Sequence, residues 1–98
     1  MITAQFDRYI SQVILKRVER HYDVGGAPFK IGQKVIVLDN PNGDETFDRR
    51  FAGRHAKVIF FEFDGGCGQS FPFDPMIGVM FNDKSVEEFW YEELRSIP

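Results

Sequence analysis

A single cysteine, Cys67, stands in 98 residues. No intrachain disulfide can form, and the usage fits a reducing compartment. No apolar run approaches the roughly 18 residues of a membrane span. The N-terminus shows neither the apolar block nor the small-residue cleavage site of a secretory signal. A cytoplasmic protein is therefore expected. Net positive charge is also missing. With 12 Lys and Arg against 15 Asp and Glu, the chain carries −3, which argues against a polyanion binder as a whole. What is plentiful is the aromatic side chain, 15% of residues and 11 of them phenylalanine. A core this small cannot hide every ring, so the surplus points to an interface.

The length is that of one domain, spanning residues 1–98, near the low end of the usual size. Phe6, Tyr9, Ile10, Val13, Ile14 and Val18 recur at helical spacing and predict an amphipathic helix over residues 3–22. Thr3 would cap its start and Gly25-Gly26 would end it. Its apolar face would pack on the rest of the domain or on a second molecule, which makes a homodimer through this helix one arrangement to test. From Phe29 the period changes to alternation. Strands are predicted over 33–38, 57–63, 76–81 and 86–91, with tight turns at Gly53 and at Asn82-Asp83-Lys84. Ile59, Phe61 and Phe63 would face one way and Val58 and Phe60 the other. The expectation is a mainly β fold: a small barrel of about five short antiparallel strands over residues 29–98, with the helix ahead of it.

Charge is unevenly placed. Arg49, Arg50, Arg54, His55 and Lys57 gather in and after the central loop, while Glu87, Glu88, Glu92 and Glu93 gather near the end. Interleaved with Phe47, Phe51 and Phe60, the basic loop has the look of a single-strand nucleic-acid binder. Pairing of Arg49, Arg50 and Arg54 with Asp44, Glu45 and Asp48 in the same loop is the simpler expectation. Cys67 has glycines on both sides but neither a second cysteine nor a histidine nearby in sequence, so a thiol or redox reading ranks third. Metal-ligand spacings and the phosphate-loop pattern are missing, and no cofactor is expected. Phe71 and Phe73 lie in a proline-stiffened loop within the insertion over 64–75, awkward to bury in the barrel, so they would either dock on a partner or fold back to cover a barrel end.

The segments KVIVLDN, GRHAKVIFF and IGVMFNDKSVEEFWYEEL resemble the SH3-like barrels of small accessory subunits, such as the variable chain of ferredoxin-thioredoxin reductase. KOW-type barrels share part of the pattern. The resemblance covers residues 30–95 and implies an SH3-like barrel. The function expected is non-enzymatic binding of another protein, as an accessory subunit, adaptor or inhibitor. The expected surface combines Phe47, Arg49, Arg50 and Arg54 with Phe71, Phe73 and Trp90, and with the acidic Glu87, Glu88, Glu92 and Glu93. Rings would anchor and charges would orient. In the inhibitor variant Glu87, Glu88, Glu92 and Glu93 occupy a basic groove of a nucleic-acid-processing enzyme. An RNA- or DNA-binding barrel using the basic loop is the alternative.

Overall fold

A computed structural model describes residues 18–63 and 70–98. Six strands form one antiparallel sheet: β1 (Val18–Arg20), β2 (Lys34–Val37), β3 (His55–Phe63), β4 (Met76–Met80), β5 (Val86–Phe89) and β6 (Leu94–Ser96). Their order is β5-β4-β3-β2-β6, with β1 also paired to β3. Short 3-10 turns lie at Arg49–Phe51 and Tyr91–Glu93. None of the described residues forms a helix long and apolar enough to cross a membrane.

The nine-residue β3 organises the sheet. One edge pairs with β4 along most of its length, and the other is shared by β2 at its start and β1 at its end. This arrangement corrects the expected helix over 3–22 where it can be seen. Val18–Arg20 is a strand, opposite Phe63, Glu62 and Phe61, because the end of β3 lies beyond the reach of β2 and its backbone groups need a partner. Residues 3–17, and with them the helix-mediated dimer contact, lie outside the described residues, as does Cys67. Among the described residues there is no α-helix.

The expected alternation in β3 is also corrected. The register shifts between Val58 and Phe60, so one extra residue enters the strand and reverses the side-chain phase. Val58 therefore shares the core with Phe61 and Phe63. Phe60 instead covers Gly78 and meets His21, ring to ring at 5.3 Å. The core proper is Val35 and Val37 from β2, Ala56, Val58, Phe61 and Phe63 from β3, Ile77 and Val79 from β4, with Phe29, Phe81, Phe89 and Leu94 closing it. In β2 only Val35 and Val37 are buried; Lys34 is exposed and Ile36 half-buried.

Two connections matter for the surface. Phe81 and Ser85 bracket a three-residue hairpin loop, with Phe81 N–H donating to the Ser85 carbonyl at 3.0 Å and Lys84 N–H to the Phe81 carbonyl at 2.9 Å. Lys84 takes a φ of 72°, the left-handed position that ends such loops. After β5 the 3-10 turn leads into β6, which pairs with β2 through Val37–Leu94, Ile36–Arg95 and Val35–Ser96. This sixth strand went unseen in the sequence because Leu-Arg-Ser is too short to show a period.

Gly78→Ala tests the β3–β4 packing. A Cβ there would fall inside the Phe60 ring, so a loss of about 1–3 kcal/mol is expected, read from the urea midpoint. Replacing Lys84 by glycine should raise stability by about 0.5–1 kcal/mol by relieving the left-handed backbone, read by the same assay.

Candidate functional site: an acidic cleft with aromatic walls

The loop between β2 and β3 is long, and its own side chains hold it. Val37 N–H donates to the Arg54 carbonyl at 3.0 Å and Gly53 N–H to the Val37 carbonyl at 2.8 Å, which closes its base. Gly53 takes a φ of 81°, which only glycine adopts freely. At the tip, the Asn40 amide clasps Asp44, accepting from its N–H at 2.9 Å and donating to its carbonyl at 3.0 Å. The Asp44 carboxylate accepts from Thr46 N–H at 2.8 Å and from its hydroxyl at 2.7 Å. Asp48 caps the 3-10 turn by accepting from Arg50 N–H at 3.0 Å. These are the turn-forming uses of Asn, Asp and Thr.

Aromatic packing then fastens this loop to the sheet. Phe51 lies flat on Phe81, centroids 5.3 Å apart and planes 8° apart, and meets Phe89 edge-on at 5.9 Å. Phe47 reaches Phe89 at 6.4 Å. Between the loop and β5 this leaves a cleft of about 270 Å³. Phe47, Phe51, Phe89, Trp90 and Met76 form its apolar lining, and Asp44, Asp48, Glu87, Glu88 and Glu93 bring five carboxylates to it.

The carboxylates are not equivalent. Arg50 holds Asp48 with a contact of 2.6 Å, and the hydrogen bonds from that side chain, with the Arg50 N–H, keep Asp48 below the usual carboxylate range. Asp44 is lowered chiefly by the Thr46 hydroxyl. Glu93 behaves in the opposite way. It is 5% exposed, and burial raises its pKa, with a partial offset from the Trp90 N–H and a further push from Asp44 and Glu92. Its carboxylate accepts from Trp90 N–H at 2.9 Å while its own N–H donates to the Trp90 carbonyl at 3.0 Å. Glu93 thereby sets the backbone that carries Trp90.

The expected site residues do not all meet. Phe47, Trp90, Glu87, Glu88 and Glu93 meet in the cleft. Glu92 is exposed on the adjacent 3-10 turn. Arg50 stands at the rim through Asp48. The other two arginines are committed elsewhere: Arg49 to Asp39 at 2.9 Å, and Arg54 to Asp83 at 3.6 Å with its guanidinium 4.1 Å from the Phe81 ring centre. Pairing within the chain was thus the right expectation for the arginines, but only Arg50 has the partner foreseen for the group. Phe71 and Phe73 are exposed. Phe71 packs against Phe63 at 4.9 Å and under the Arg20 guanidinium at 5.0 Å. Asp44, Asp48, Phe51, Met76 and Phe89 line the cleft without having been singled out for it. Asp44 and Asp48 had been read as partners for arginine, Phe51 as a ring of the basic loop, and Met76 and Phe89 as members of strands. Among the described residues no group of three His, Cys, Asp or Glu is placed to hold a metal ion.

The architecture and its marked surface define an SH3-like barrel with an acidic, aromatic-walled cleft. The chain belongs to the CarS bacterial SH3 domain family, whose model matches residues 9–98. It is similar to the antirepressor protein CarS of Myxococcus xanthus, 38% identical over 77 residues, which cover 79% of this chain and 68% of that protein. No solved structure matches it.

Glu93→Gln keeps an acceptor for the Trp90 N–H and removes a disfavoured charge. An acid whose folded pKa is raised adds stability below its unfolded value, near 4.3, and loses it as the pH rises through the folded value. The variant is therefore expected to match or exceed the parent at pH 7, with the difference vanishing as the pH falls toward about 4. Urea midpoints across that range check the sign.

Proposed function

We propose that this chain is an antirepressor: a non-enzymatic, stoichiometric inhibitor that seats its acidic cleft on the DNA-contacting surface of a transcriptional repressor. The observation that carries the reading is the convergence of five carboxylates on Trp90 and Phe47. Surfaces that hold DNA are rich in Lys and Arg aimed at phosphates. A rigid cleft bearing carboxylates at the mouth and rings within would satisfy those cations and give an arginine or lysine a ring face to lie on. The likeness to a protein named an antirepressor supports the same class of partner. Exposed Glu92 would extend the acidic surface. Such a partner works where the DNA is, in keeping with a cytoplasmic protein. The nucleic-acid-binding alternative is weakened by the commitment of Arg49, Arg50 and Arg54 to Asp39, Asp48 and Asp83.

Steering by opposite charge would quicken association, and binding would weaken as salt rises. Capture from lysate of the source cells with the wild-type chain as bait is expected to retain a DNA-binding repressor, identified by mass spectrometry. Trp90→Ala should weaken its binding by about 30-fold, as loss of a buried aromatic anchor does. Glu87→Lys with Glu88→Lys should weaken it at least as much. Equal retention by all three baits, or capture of nothing that binds DNA, would sink the reading.

A further inference from the structure

A second groove, of about 560 Å³, lies toward the other end of β4. Met76 lines the acidic cleft and Met80 this groove, at opposite ends of one five-residue strand. Its rim carries Lys34, Lys57 and Lys84, and no Asp or Glu lines it. Lys34 and Lys57 are direct cross-strand partners, a juxtaposition of like charges that works against the sheet. All three ammonium groups are exposed, and no ion pair among the described residues reaches them. Asp83, next to Lys84 in the hairpin loop, is already engaged by Arg54 at 3.6 Å and by Ser85 N–H and hydroxyl at 3.0 and 2.6 Å. In a chain of net charge −3, three lysines around one groove, with His55 beside them and no Asp or Glu side chain lining it, form a site suited to an anion.

The choice of cation narrows the anion. On this chain arginines answer carboxylates, Arg49 with Asp39 in a two-pronged bond at 3.2 and 2.9 Å and Arg50 with Asp48, as the planar guanidinium fork suits. The groove offers lysines instead, point charges without the fork, and three of them around one groove suit a multiply charged anion such as a phosphate chain. Half-buried Met80 and Ile97 supply apolar surface beside them. The volume lies in the range of small-molecule sites. A nucleic-acid strand fits less well, since Phe81 is 1% exposed and the His55 imidazole is the one exposed ring lining the groove, too few to stack successive bases.

We propose that this groove binds a small organic phosphate, its phosphates spanning Lys34, Lys57 and Lys84 and its apolar part on Met80 and Ile97. The test is an amide chemical-shift titration of the full chain with ATP, and separately with inorganic pyrophosphate and a single-stranded 12-mer DNA, in magnesium-free buffer. Saturable ATP shifts are expected on residues 55–57 and 80–84. Lys34→Gln with Lys57→Gln should weaken ATP at least tenfold with the rest of the spectrum unchanged, whereas Lys30→Gln, exposed and outside the groove, should leave it unaltered. Shifts scattered over every lysine, or indifference to the double variant, would mean adventitious anion binding only and overturn the site. Pyrophosphate binding as tightly as ATP would overturn the organic assignment. The 12-mer displacing ATP at equal phosphate concentration would assign the groove to nucleic acid and overturn it as well.

Discussion

Phe51 lying flat on Phe81 joins the long β2–β3 loop to the barrel, and both marked surfaces of the molecule are arranged around that contact. On one side, Phe51 and Phe89 form the wall of the acidic cleft. On the other, Phe81 supports the Arg54 guanidinium and backs the lysine groove. A stacked pair of this kind contributes about 0.5–1.5 kcal/mol beyond the area it buries. Its larger consequence is positional. Without it, the loop's turn-forming side chains would still fold the tip but would leave Asp44 and Asp48 unplaced relative to Glu87 and Glu88.

The cleft concentrates like charge, which costs stability, and the molecule offsets that cost locally. Asp48 has Arg50, Asp44 has Thr46, and Glu93 trades its charge preference for a hydrogen bond to the Trp90 backbone. What results is a negative surface on which the Asp44, Asp48 and Glu93 carboxylates are already fixed by hydrogen bonds. The same logic separates the two faces. Arginines are spent on internal carboxylates, so the loop that reads as basic in sequence is electrically quiet, while lysines on the sheet remain uncommitted.

Part of this was legible before any coordinates. The apolar runs in 33–38 and 76–81 marked two strands correctly to within a residue, the turn at Asn82-Asp83-Lys84 was placed, and Phe47, Trp90 and three of the four glutamates singled out do meet. The failures have physical causes. Val18 fitted a helical period and was taken into a strand by the unpaired end of β3. The bulge beside Ile59 put Val58 on the core side with Phe61 and Phe63 and apart from Phe60, and a bulge has no signature in hydrophobic alternation other than its breakdown. Charge proximity in sequence suggested Asp44, Glu45 and Asp48 as a set for the arginines. The chain instead drew Asp39 and Asp83 to Arg49 and Arg54.

Local chemistry alone determined that this chain makes short strands around a phenylalanine-rich core, with polar turns and acidic residues near its end, because strand period and turn preference are properties of neighbouring residues. Which charges would face a partner and which would neutralise one another was decided only by folding. That outcome depends on contacts between residues far apart in the chain, such as Arg54 with Asp83 and Lys34 with Lys57, and no local pattern encodes them.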